Sequence, residues 1–226
     1  YVEHGFGKEA LHCFAQFKYE GLSPDPVMFA CILKACGSIQ DVSKGQDTHK
    51  EIDRIGLLKS NHFIGGALVD MYVKCGFIQK AREVFDTLPI RTLFAWTALI
   101  SGYAQCGDGE EALKCFDHMI VEGISPDAVT YICLLKACGV VGALSKGQVI
   151  HLEISRAGIL DQNLALGNTL IDMYSKCGML LKARNVFDNL RVRDEVSWTS
   201  LIGGYAQLGA SDSVFMAYDK MIAEGI

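Results

Sequence analysis

The chain has 226 residues, 50% of them hydrophobic and 21% charged, with four prolines and a formal net charge of −5. That balance provides for a large core and excludes a disordered tail, a collagen-like fibre and a strong non-specific polyanion binder, so any nucleic-acid contact has to be local. Asp, Lys, Arg or Gly interrupts every apolar stretch before the roughly 18 uncharged residues of a membrane helix accumulate, so neither a membrane span nor a membrane partner is expected. Nine cysteines, an odd number beside an ample core, point to a reducing compartment rather than a disulfide scaffold. Tyr1 stands where Met would open a complete chain, and the sequence reads as an internal fragment without its targeting segment.

Apolar residues at helical spacing predict helices near Val27 to Cys36, Lys44 to Ile55, Phe63 to Lys74, Ile78 to Leu88, Leu93 to Gln105 and Glu110 to Val121. Gly37, Gly56, Gly76, Gly107 and Gly123 are the expected stops. Pro24, Pro26, Pro89 and Pro126 all fall in the junctions, where a missing N–H costs nothing. The pattern then repeats without a gap. Ser23-Pro24-Asp25 returns as Ser125-Pro126-Asp127, Leu33-Lys34-Ala35-Cys36-Gly37 as Leu135-Lys136-Ala137-Cys138-Gly139, and Gly102-Tyr103-Ala104-Gln105 as Gly204-Tyr205-Ala206-Gln207, each 102 positions on. Each period holds three helical hairpins, and a hairpin of about 35 residues cannot bury its apolar stripes alone. The expected fold class is therefore an all-α solenoid of stacked helix-turn-helix repeats.

Boundaries before Leu93, Ala128, Leu164 and Glu195 divide the period into units of 35, 36 and 31 residues. Three stretches then resemble the P, L and S motifs of plant-type pentatricopeptide repeat arrays. They are Leu33-Lys34-Ala35-Cys36 with Gly45-Gln46-Asp47-Thr48-His49 for L, Gly66 to Gly76 for S, and Trp96 to Gln105 for P. The resemblance covers the whole chain and implies a right-handed superhelix. It divides the chain into a partial P motif (1–25), L (26–61), S (62–92), P (93–127), L (128–163), S (164–194) and a final P motif (195–226).

The family reads single-stranded RNA one base per repeat. The resemblance implies that the fifth residue and the last residue of a motif face the base, while the second residue packs against it. Carried onto this chain, the reading pairs are Thr97 with Asp127 and Asn168 with Asp194. A carboxylate accepts the Watson–Crick N–H of G or U and repels the acceptor that A and C present there. With Thr favouring purines and Asn pyrimidines in this family, Thr97/Asp127 is expected to read G and Asn168/Asp194 to read U. Gly66 with Thr92 offers no amide or carboxylate and should tolerate any base. Ala30/Asn61 and Ile132/Asn163 can pack at the fifth place but not discriminate there, and Thr199 suggests a purine. The expected target is N-N-G-N-U followed by a weak purine.

Phe63, Phe94, Val27, Val129, Ala165 and Val196 take the second, base-stacking positions, worth about 1–3 kcal/mol per base at best. Asp127 and Asp194 also suit helix N-capping, which is compatible with reading. Lys74 and Lys176 precede helix-ending glycines and are candidates for phosphate contact or for the helix C-terminal dipole, with Lys34 and Lys136 similar.

His49-Lys50-Glu51 and His151-Leu152-Glu153 match the H-x-E of zinc deaminases, but no cysteine pair has the C-x-x-C spacing that would complete such a site. These histidines read as packed repeat residues, and no metal, cofactor or catalytic residue is expected. The resemblance implies a non-enzymatic recognition array of a chloroplast or mitochondrial C-to-U editing factor, its deaminase lying elsewhere. The alternative is a protein-interaction scaffold that docks a peptide or editing cofactor proteins, and uncapped ends would favour self-association.

Overall fold

The computed structural model describes residues 7–226, apart from the Asp161 side chain. It is helical throughout, with no strand among the described residues: α1 (Gly7–Tyr19), α2 (Pro26–Ile39), α3 (Val42–Arg54), α4 (Leu57–Ser60), α5 (His62–Lys74), α6 (Ile78–Thr87), α7 (Leu93–Gln105), α8 (Gly109–Val121), α9 (Ala128–Val141), α10 (Leu144–Arg156), α11 (Leu164–Lys176), α12 (Leu180–Asp188), α13 (Glu195–Gln207) and α14 (Ser211–Ala223). A 3-10 turn, Leu160–Gln162, precedes α11. None of these helices is long and apolar enough to cross a membrane.

The chain forms two compact units. The first runs to Gln105 and includes Cys115–Ser125; the second comprises Cys106–Lys114 and Pro126–Ile226. In the first unit α5 lies between α2 and α7, with α3 and α6 packed behind as the second helices of their hairpins. The second unit repeats the plan: α11 lies between α9 and α13, backed by α10, α12 and α14. The inner helices are apolar almost all round, as a helix buried on both flanks must be.

Both cores use one aromatic lock. Phe85 meets Trp96 edge to face at 4.5 Å between ring centroids, and Phe187 meets Trp198 at 4.6 Å. All four rings are buried. Such pairs add roughly 0.5–1.5 kcal/mol beyond the area they remove from water. His49 and His151 lie inside α3 and α10, where each Nδ1 is 2.9 Å from a tyrosine hydroxyl, Tyr72 and Tyr174 respectively. Cys36 and Cys138 are buried, and burial pushes both thiols up to about 12.

Gly56, Gly76, Gly107 and Gly123 have positive φ at helix ends, the conformation that makes glycine a stop. Gly37 does not: α2 runs through it to Ile39, and the left-handed cap is Gln40 at φ 56°. Gly37 is small for a packing reason, because a Cβ there would sit 3.2 Å from the Lys74 side chain. The second unit places Gly142 (φ 68°) at the position matching Gln40. The one-turn α4 was not legible in the sequence, since four residues carry no periodicity.

Candidate nucleic-acid interface

The residues at the junctions share one local job. The side chains of Asp25, Asn61, Asp127, Asn163 and Asp194 cap α2, α5, α9, α11 and α13 by accepting from a backbone N–H of the first turn, at 2.7, 3.0, 2.8, 3.2 and 2.8 Å. Thr92 Oγ1 accepts from Ala95 N at 3.3 Å at the start of α7. Each such bond satisfies a donor that the helix cannot, for about 0.5–2 kcal/mol. Asp127 and Asp194 use Oδ1 for the cap.

The second unit brings Asn168 and Asp194 together. Asn168 is 7% exposed, and its Nδ2 donates to Asp194 Oδ1 at 3.2 Å. Ser197, fully buried in the first turn of α13, has its Oγ 2.7 Å from Asn168 Oδ1 and 2.8 Å from Asp194 Oδ1, and the Ser197 Oγ accepts from Asp194 N at 3.2 Å. The backbone N–H of Ser197, with help from the Ser197 and Asn168 side chains, holds the Asp194 carboxyl below the usual carboxylate range. The cluster opens into a cleft of about 430 Å³ whose walls include Ile132, Lys136, Ala165, Asp172 and Val196. Sequence reasoning paired Asn168 with Asp194 and gave Ala165 and Val196 the second places of two successive motifs. It missed Ser197, whose only signal was a hydroxyl three residues after a capping Asp, the spacing of a capping box.

In the first unit the matching position is apolar. Phe63 and Phe94, 59% and 41% exposed, stack on each other at 5.9 Å between centroids and 18° between planes. Gly66 makes room for this, since a Cβ there would meet Phe94 Cδ1 at 2.6 Å. Val27 and Val129 are exposed on α2 and α9. Thr97 belongs to the first unit and Asp127 to the second. Asp127 Oδ1 also accepts from Thr130 Oγ1 at 2.7 Å. Thr199 is exposed and donates to Val196 O at 3.1 Å.

The two lysines singled out for phosphate are already paired. Lys74 Nζ lies 2.7 Å from Asp70 Oδ2, and Lys176 Nζ lies 2.8 Å from Asp172 Oδ2. Asp four residues before Lys is the favourable orientation on a helix, and that spacing was readable in the sequence. Lys34 and Lys136, the weaker candidates, are exposed and have no carboxylate partner among the described residues.

Comparison with known proteins follows the same repeats. The PPR repeat model matches residues 66–89, 168–194 and 196–226, and the PPR repeat family model matches 91–139. The chain belongs to the pentatricopeptide repeat family. An Arabidopsis thaliana pentatricopeptide repeat-containing protein is 35% identical over 227 residues, covering 100% of this chain and 26% of its own length. A mitochondrial relative from the same plant is 38% identical over 98% of this chain and 35% of its own, and a chloroplastic one 37% identical over 89% and 38%. The repeats thus span about a third of the length of the curated relatives they match. Among solved structures, the maize pentatricopeptide repeat protein PPR10 superimposes with a TM-score of 0.76 at 19% identity, over 99% of this chain and 32% of that one. PPR10 in complex with an 18-nt psaJ RNA element gives 0.78, over 99% and 33%. The shared fold is the pentatricopeptide repeat solenoid.

Proposed function

We propose that this chain is a sequence-specific single-stranded RNA-binding module, reading one base per repeat as N-N-G-N-U and then a purine, and carrying no chemistry of its own. The observation that carries the reading is the cleft of the second unit, whose walls hold a hydrogen-bonded amide and carboxylate together with two apolar second-position side chains, Ala165 and Val196. A carboxylate beside a donor suits the N3–H and keto oxygen of uracil. The stacked Phe63 and Phe94 over Gly66 support a repeat that tolerates any base, because Gly66 has no side-chain donor or acceptor to set against one. PPR10, similar in fold, has been solved with an RNA element, and relatives are named chloroplastic and mitochondrial. Together with the alternation of 35, 36 and 31 residues, these support a place as the recognition array of an organellar C-to-U editing factor.

The test is a mobility-shift selection with randomised RNA. Enrichment of G and U two positions apart is expected. In the Asp127→Asn variant the capping oxygen remains while the acceptor becomes a donor, so the preference at the first of these positions should move from G toward A. An unchanged profile overturns the register, and no binding at low salt favours a protein-interaction scaffold.

A further inference from the structure

We propose that Ser197 is a specificity-positioning residue: its buried hydroxyl fixes which face of the Asn168 amide the cleft presents, and so decides for a keto over an amino pyrimidine. This rests on the RNA-binding reading above. The proton count makes the argument. Asp194 Oδ1 receives Ser197 N–H at 2.8 Å and Asn168 Nδ2–H at 3.2 Å. A carboxylate only accepts, so the amide nitrogen has to face Asp194 and the amide oxygen has to face Ser197. Ser197 Oγ accepts from Asp194 N and lies 2.7 Å from Asn168 Oδ1 and 2.8 Å from Asp194 Oδ1; the carboxylate oxygen already holds two N–H donors, so the single hydroxyl proton goes to the amide oxygen.

The Asn168 oxygen is thereby consumed inside the protein, and what remains for a ligand is an N–H donor. A donor there suits the O4 of uracil and opposes the N4 amino group of cytosine. Were the oxygen released, the same side chain could accept from cytosine. Ser197 holds the third place of its motif, not the fifth, last or second, and acts through Asn168 and Asp194.

Ala95 stands at the matching place of the first unit and is fully buried there. Ser197→Ala should therefore fold, which a melting curve verifies. Filter-binding affinities are measured for three RNAs: the preferred sequence, the same with U→C opposite Asn168, and the same with G→A opposite Thr97. The wild-type U-over-C ratio should fall about tenfold in Ser197→Ala, equivalent to about 1.4 kcal/mol, while the G-over-A ratio stays within twofold. Ser197→Thr should restore the U-over-C ratio, because it keeps the hydroxyl, and Thr130, fully buried three residues after the capping Asp127, shows that this place of a motif accepts a threonine. A U-over-C ratio unchanged by Ser197→Ala overturns the proposal, as does a loss shared equally by both ratios, which is the mark of a merely structural serine. Absence of binding by the wild type to all three RNAs would instead overturn the RNA-binding reading itself.

Discussion

Two adjacent glycines in α13 should respond in opposite directions to the same substitution. Nothing lies within 4 Å of the place a Cβ would take on Gly203, whereas on Gly204 it would sit 2.2 Å from Ser175 Oγ and 2.6 Å from Ser175 Cβ. Ordinary van der Waals contact begins near 3.4 Å, so the second contact is short by about 0.8 Å. The hydroxyl can rotate away but the Cβ cannot, and α11 and α13 would have to separate. Both alanines gain roughly 0.5–1 kcal/mol from helix propensity, a contribution that cancels in their difference. Overpacking costs Gly204→Ala about 1–3 kcal/mol, leaving a net loss of up to about 2.5 kcal/mol. At about 2–4 °C per kcal/mol for a chain of this size, Gly203→Ala should raise the midpoint of a thermal melt followed by circular dichroism by about 1–4 °C. Gly204→Ala should lower it by several degrees. Adding Ser175→Gly to Gly204→Ala should recover part of the loss. A Gly204→Ala midpoint at or above that of Gly203→Ala would refute the close approach of these helices.

Two further outcomes concern charge. Burial, reinforced by Lys182, pushes the His151 imidazole below its ordinary 6.5, so the unfolded chain takes up a proton that the folded chain refuses. Stability is then complete above pH 6.5 and declines as pH falls toward the folded value, by up to about 1.4 kcal/mol per pH unit. Urea midpoints of His151→Gln should show a shallower decline between pH 6.5 and 5 than the wild type, and equal slopes would count against a neutral buried histidine. For ligand binding, Lys74 and Lys176 are neutralised by Asp70 and Asp172, which leaves Lys34 and Lys136 as the unpaired candidates. At about 0.7 per phosphate for a single strand, log K against log salt should have a slope no steeper than about −1.5. A slope near −4 would place the dominant phosphate contacts on other residues.

The fold class was readable because it rests on local rules applied many times over. Apolar spacing located the long helices, and glycine at Gly56, Gly76, Gly107 and Gly123 marked their ends by the one conformation glycine adopts without strain. Where a glycine served packing instead, local rules misled: Gly37 continues α2 because the Lys74 stem lies across it, a tertiary fact with no sequence signature. The same division runs through the site. Asp127 and Asp194 as caps were legible from residue type and position. The Asn168–Asp194–Ser197 cluster was only half legible, since a partner 29 residues away comes from stacking of one hairpin on the next. The Phe63–Phe94 stack depended in the same way on Gly66, a residue that sequence alone marked only as lacking a reading group.

Capping and reading, which compete for the same residues at first sight, constrain each other on the RNA-binding reading. A residue ending one repeat has to cap the next, and that requirement restricts the position to Asp, Asn, Ser or Thr. Each cap consumes one acceptor oxygen, as Oδ1 does in Asp25, Asn61, Asp127, Asn163 and Asp194. Asp then retains a second, unengaged oxygen and can only accept, while the group that Asn leaves unengaged is its NH₂, a donor. Thr92, having given its single oxygen to Ala95 N, keeps only a hydroxyl proton. The two letters available at a motif end, acceptor and donor, are thus what remains after the helix has been started. They are also the two groups that separate G and U from A and C on the Watson–Crick edge.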